Sequence, residues 1–193
     1  MIKTPADRIS HKQFVVLGLI AEFPSHAYSI DQRIENRGMR NWTDIGKSSI
    51  YRIIGELELA QFVSFYEEEV DNRLRKVYSI TEKGMKVLKA KIFNTINEYI
   101  GKNDEDFYVA FSMLPILTAD DQIQALLNAF QNINKHKQEL EQMLFENQGY
   151  PLNVIGLFKH PIMILETDKK FLKWVLEKIK SGVAITDPKT PNK

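Results

Sequence analysis

Residues 12–22 carry Phe14, Val15, Val16, Leu17, Leu19 and Ile20, apolar nearly all round, which predicts a short helix buried on most sides. Pro24 ends it, Ser25 is a suitable N-cap for the next helix, and Ala27, Ile30 and Ile34 then recur at helical spacing up to Gly38. Trp42 and Ile45 follow in a stretch that fits a brief strand. A third helix is signalled by Ile50, Ile53, Ile54 and Leu57 at i, i+3, i+4 and i+7, and these four define its core face. Residues 62–69 and 75–80 are rich in β-branched and aromatic side chains and flank a polar stretch with turn chemistry at Asp71 and Asn72, which predicts a β-hairpin. Thr81 can then cap a long helix through Met85, Leu88, Ile92, Ile96 and Tyr99, ending at Gly101.

Beyond residue 102 the pattern is helical only. A helix over residues 104–114 stops at Pro115, and another starts at Thr118 with Asp120 and Asp121 in its first turn. Ile123, Phe130, Lys137 and Leu144 fall seven apart with Leu126, Ile133 and Leu140 between them, an a/d-like stripe on a helix about 40 Å long. After a break at Gly149-Tyr150-Pro151 and another at His160-Pro161, a last helix sets Leu165, Leu172, Val175 and Ile179 on one face. With two short companions, the stripe is expected at a dimer seam formed by Ile123, Leu126, Phe130, Ile133, Leu140, Leu165, Leu172 and Ile179. The fold class expected is mostly α with a small β-hairpin. A winged helix-turn-helix domain (1–84) is followed by an all-helical dimerisation and effector domain (85–180) and a disordered tail (181–193).

Composition narrows the choice of function. Of 193 residues, 44% are hydrophobic, ordinary for a chain with a core, and 26 Lys+Arg against 25 Asp+Glu give a net charge of +1. No global field pulls the protein to nucleic acid, so any such binding must rest on local charge. Cysteine is absent, which excludes disulfides, thiolate catalysis and Cys-based zinc sites. The start of the chain lacks the apolar core of a signal peptide and no apolar run is long enough to cross a bilayer, so a soluble, cytoplasmic protein is expected. His11, His136 and His160 show no ligand spacing, and there is no phosphate-cradling glycine loop or nucleophile elbow, so neither a cofactor nor an enzyme activity is expected.

Three helices and a hairpin are the winged-helix order, in which the third helix enters the major groove. With its isoleucines turned inward, that helix points Ser48, Tyr51, Arg52 and Gly55 outward. Lys47, Ser48, Ser49 and Tyr51 can meet phosphate, and Arg52 can read guanine O6 and N7 with two hydrogen bonds. Glu56 and Glu58 fall toward the other end, where they need not face phosphate. At the hairpin tip Arg73, Arg75 and Lys76 can reach DNA beside Asn72, but Glu67, Glu68, Glu69 and Asp71 lie close by. Tyr28 and His26 open the second helix, where phosphate contact and a capping or core role both fit.

Leu17-Gly18-Leu19, His26-Ala27-Tyr28-Ser29-Ile30, Trp42, Ser48-Ser49-Ile50-Tyr51, Glu56-Leu57-Glu58, the arginine-rich hairpin and Tyr78-Ser79-Ile80-Thr81-Glu82-Lys83-Gly84 follow one another in the order and spacing of a known family. Over residues 12–84 the chain resembles the PadR family of transcriptional regulators. The resemblance implies a winged-helix repressor that binds double-stranded operator DNA, dimerises through its C-terminal helices and lets go when a small, often aromatic or phenolic, effector binds. Its several C-terminal helices resemble the longer branch of that family. Ala27 stands where the family usually has glycine, Ser48 near another, and Arg52 in place of a common proline. Phe107, Phe111 and Trp174 are the candidate effector-pocket residues. The alternative reading is a winged-helix protein-interaction module, favoured by the near-neutral charge and the acidic hairpin arm.

Overall fold

Ser10 opens α1 (His11–Glu22) through a capping box, its hydroxyl accepting from the Gln13 amide while the Gln13 side chain accepts from the Ser10 amide. The computed structural model describes residues 9–70, 73–101, 104–146 and 149–183. As its all-round apolar pattern requires, α1 is buried along its length and forms the centre of the N-terminal core. The second helix, α2 (Ala27–Asn36), stops two residues before Gly38, which takes the left-handed conformation at φ +63°. Ser25 does not cap it. The residue at the cap is His26, while Ser25 forms a two-way backbone bridge to Tyr78 at 2.9 Å and its hydroxyl accepts from Arg33. Pairing with the hairpin holds Ser25 extended and postpones the helix by a residue.

The brief strand expected at Trp42 and Ile45 is absent. A single 3₁₀ turn, Met39–Asn41, stands there, and the Ile45 carbonyl accepts from Arg40 Nη1 at 2.8 Å instead of joining a ladder. Next, α3 (Lys47–Leu59) turns Ile50, Ile53, Ile54 and Leu57 into the core, none more than 2% exposed. The hairpin pairs β1 (Val63–Val70) with β2 (Arg73–Ile80) from Val63 opposite Ile80 to Val70 opposite Arg73. The turn expected at Asp71 and Asn72 lies outside the described residues. Thr81 caps α4 (Glu82–Asn97) by accepting from the Gly84 amide at 3.0 Å. Gly84 itself admits no side chain, because a Cβ there would sit 2.0 Å from the Phe62 carbonyl oxygen.

The remaining helices are α5 (Glu105–Ser112), capped by Asp104, then α6 (Ala119–Glu146) and α7 (Leu152–Lys180). The last two pack together as a long helical hairpin, with α4 against α6. The break expected at His160-Pro161 does not occur: Pro161 lies inside α7. Proline deprives the Leu157 carbonyl of its helical donor, but Leu157 is exposed and water can take that place. Because α7 is long enough to cover α6, the apolar stripe is not free for a partner along its whole length. Leu126, Ile133, Leu165 and Leu172 are buried within the protomer, whereas Ile123, Phe130, Leu140 and Ile179 keep accessible surface.

One contiguous core runs from the winged helix into the helical region. Gly18 of α1 shows how close the approach is, since a Cβ there would fall 1.9 Å from the sulfur of Met113, just beyond α5. Among the described residues no helix is long and apolar enough to cross a membrane. The expected tail lies, from residue 184 onward, outside the described residues.

Candidate nucleic-acid interface

Three polar networks brace the elements around α3. Glu22, at the end of α1 and only 7% exposed, accepts both Arg37 nitrogens at 2.6 and 2.8 Å and Arg33 Nη1 at 3.2 Å. Arg33 also donates to the Leu19 carbonyl and to Ser25 Oγ, so α1, α2 and the start of the hairpin bridge meet on one guanidinium. Arg40 donates to Glu35, Asp31 and the Ile45 carbonyl, tying the connection before α3 to α2. His11 then links that connection to α5, with Nε2 3.1 Å from Thr43 Oγ1 and Nδ1 2.7 Å from Asp106 Oδ1. Lys91 of α4 meets the other Asp106 oxygen at 2.6 Å. Burial pushes the Asp106 carboxyl up, but the hydrogen bonds from His11 and Lys91 outweigh it and hold it below its ordinary value.

Seated in this way, α3 presents Lys47, Ser48, Tyr51 and Arg52 to solvent, with Ser49 half-buried. Its cap residue is Gly46, so no side chain occupies the first amides. The cap of α2, His26, is equally idle as a cap, since its Nδ1 instead donates to the Lys76 carbonyl at 3.1 Å. Neither helix has a side-chain cap at its N-terminus. A cleft of about 670 Å³ is bounded by the start of α2, Tyr51 and the hairpin residues Arg75, Lys76 and Tyr78. Tyr28 and Tyr51 are 52% and 62% exposed there, and Lys47 Nζ sits 5.4 Å from the Tyr28 ring centre. The structure thus gathers Tyr28, Lys47, Tyr51, Arg75 and Lys76 around one concave surface. Of the two roles open for His26, the geometry shows a third: it clamps the hairpin to α2, with Nε2 also 3.5 Å from Glu68.

The hairpin does not turn its acids away from its bases. Its register sets Glu67 opposite Lys76 and Glu68 opposite Arg75, and directly opposed residues share a face. Arg73, Arg75 and Lys76 are exposed, but Glu67, Glu68 and Glu69 are exposed beside them, so the described part of the wing is charge-balanced. Lys76 rests on the Phe65 ring at 3.7 Å from its centre.

On α3 Arg52 has an acidic partner on its own helix. Glu56 lies one turn on and accepts directly from Arg52 Nη1. The sequence offered a signal in the i, i+4 spacing of opposite charges, which the choice of outward-facing residues alone passes over.

Phe107, Phe111 and Trp174 do come together, joined by Phe171, whose ring centre is 5.2 Å from Phe111 and 6.2 Å from Trp174. Tyr99 stacks on Phe107 at 4.0 Å and donates to Asp168. The three form packed contacts, with Phe107 buried and Trp174 exposed. A nearby cavity of about 240 Å³, bounded by Lys91, Tyr99, Asp104 and Asp106, is lined by none of them.

No curated protein matches the chain. Among solved structures it is similar to smu.1704 from Streptococcus mutans UA159, at 24% identity and a TM-score of 0.36, covering 51% of this chain and 91% of that one. Bacillus subtilis PadR in complex with operator DNA is 16% identical with a TM-score of 0.43, covering 91% and 100%. For smu.1604c of Streptococcus mutans UA159 the values are 21%, 0.41, 88% and 100%. Residues 16–90, from within α1 to within α4, match the transcriptional regulator PadR-like family.

Proposed function

We propose that this chain is a dimeric, cytoplasmic transcription regulator that binds double-stranded operator DNA through α3, with Arg52 reading a base and the cleft between α2, α3 and the wing gripping phosphate. The carrying observation is that Tyr28, Tyr51, Arg75 and Lys76 line one exposed concave surface at the uncapped start of α2, with Lys47 over the Tyr28 ring at its rim. Residues 1–84 are the DNA-binding unit and residues 85–180 the dimerisation and effector unit in this reading. Two copies would set their α3 helices into half-sites about one helical turn, roughly 10 bp, apart. Repression and release by a small aromatic or phenolic effector follow the family resemblance, with the Phe107, Phe111 and Trp174 cluster as the place where such a ligand would act.

Burial within the protomer moves the proposed dimer surface outward along the hairpin. The buried residues of α6 end at Ile133 and those of α7 begin at Leu165. Between them the chain carries Leu140, Phe145, Leu152, Leu157 and Met163, the last four 68–84% exposed. An antiparallel helix pair with that much uncovered apolar surface suits a second copy of itself.

Fluorescence anisotropy on duplexes enriched from a randomised pool tests the DNA reading. Arg52→Ala is expected to weaken the enriched duplex by about 1–3 kcal/mol and to leave random duplexes nearly unchanged. Lys47→Ala is expected to weaken all duplexes alike and to lower the salt slope by about 1. Equal losses for Arg52→Ala on both kinds of duplex would remove its base-reading role. The charge-balanced wing favours one second reading, a winged helix that binds protein. A folded dimer that shifts no duplex at micromolar concentration and moderate salt would establish it over the first.

A further inference from the structure

Arg52 is not a loose side chain. Its Nη1 donates to one oxygen of Glu56, and the other Glu56 oxygen accepts from Gln13 Nε2 of α1 at 2.9 Å. Gln13 is in turn held at its far end, where Oε1 accepts from the Ser10 amide at 2.9 Å as part of the α1 capping box. A backbone amide, a carboxamide, a carboxylate and a guanidinium thus form one chain that ends on the exposed face of α3. A capping box accepts Glu as readily as Gln at this position, but only Gln has an N–H to give to Glu56. As an exposed pair four residues apart, Arg52 and Glu56 add little to stability. The chain's effect is on where the guanidinium points.

We propose that Glu56, steadied by Gln13, is a positioning residue that sets the sequence discrimination of Arg52; the proposal rests on the DNA-binding reading above. An unheld arginine has many rotamers and can settle on a phosphate, which carries no sequence information. Held at one Nη1 proton, it keeps Nη2 and the remaining protons for a base edge and loses less freedom on binding. The Glu56 carboxylate also opposes a nearby phosphate, so it penalises the non-specific mode more than the specific one. Glu56 touches no base itself.

The test uses the full chain, with wild type and each variant selecting from a randomised duplex pool, then anisotropy on the enriched duplex, its single base-pair variants and a random duplex. Arg52→Ala is expected to lose the preference at one base pair by about ten- to a hundredfold. Glu56→Gln and Gln13→Glu are expected to lose about three- to tenfold at that same base pair, while random-duplex binding strengthens only in Glu56→Gln, which removes a negative charge. Gln13→Glu retains the capping box, and its thermal midpoint, read beside that of the double variant, separates positioning from folding. The double variant Gln13→Glu/Glu56→Gln reverses the donor and acceptor between these two positions and leaves the carboxamide introduced on α3 an oxygen for Arg52, so it should recover much of the discrimination. Unchanged preference and unchanged random-duplex binding in both single variants, with Arg52→Ala still losing its base pair, would overturn the positioning role alone. If Arg52→Ala keeps every preference, the base-reading assignment falls and this proposal with it.

Discussion

In the winged helix α1 buries six large apolar side chains and α3 buries four, while the outer half of the α6–α7 hairpin buries none among the described residues. Both regions are rich in apolar residues, so composition does not distinguish them. What differs is whether neighbours exist inside the same chain. Around α1 stand α2, α3, α4, α5 and β2, which close every side and leave α3 with a polar outer face. Past Ile133 and before Leu165, α6 and α7 have mainly each other, and two helices cannot cover one another's full circumference. One region is finished by folding and leaves a polar outer face; the other leaves apolar surface uncovered, the surface proposed above for a second copy.

The sharpest way to break that contrast is to charge the outer hairpin. Leu152→Asp/Leu157→Asp should leave the fold intact but abolish dimerisation. Each leucine lost from a symmetric interface counts twice, at about 1.5–3 kcal/mol per copy, so the dimer Kd should rise by well over a hundredfold. Sedimentation velocity checks it, and an unmoved dimer would place the interface elsewhere. Next in size is Glu22→Ala, which strands Arg33 and Arg37 at the α1–α2 junction. The expected loss is about 3–5 kcal/mol of unfolding free energy in a urea titration, whereas a comparable change on the solvated hairpin, Lys159→Ala, should stay within about 0.5 kcal/mol.

A smaller loss than at Glu22 is expected at Asp106, where the winged helix meets α5. Asp106→Asn should lose about 1–3 kcal/mol at neutral pH, since it weakens charge-assisted bonds to His11 and Lys91. The lowered carboxyl value in the folded protein means that this contribution is complete above the ordinary carboxylate range near ~4 and disappears as pH falls through the lowered value. Urea titrations at several pH values should therefore show wild type and variant converging in acid. A constant gap would mean that Asp106 acts by packing and not by charge.

Much of the N-terminal half was legible because its signals are local. The four-residue spacing of isoleucines named the inward face of α3, and the β-branched runs named the hairpin. Thr81 announced the start of α4. The candidate site was legible as a face, since Lys47, Ser48, Tyr51 and Arg52 do project outward. Local signals failed where a distant group intervened. Ser25 has the chemistry of a cap but is drawn to Tyr78, and Pro161 has the chemistry of a break but lies within a helix that continues along α6.

The sequence by itself determined the order of helices and hairpin in the N-terminal half, which side of each short helix there is apolar, and that the third helix carries groups suited to DNA, because periodicity and capping act over a few residues. Only the tertiary structure decided what each apolar side faces: Leu126 and Ile133 inward within the protomer, the outer hairpin to solvent. Only it could show that Glu56 holds Arg52 and Gln13 holds Glu56, or that the wing's acids stand opposite its bases. Those pairings join residues as far apart as 43 positions. Their formation depends on how helices and strands are seated against one another, which no local pattern encodes.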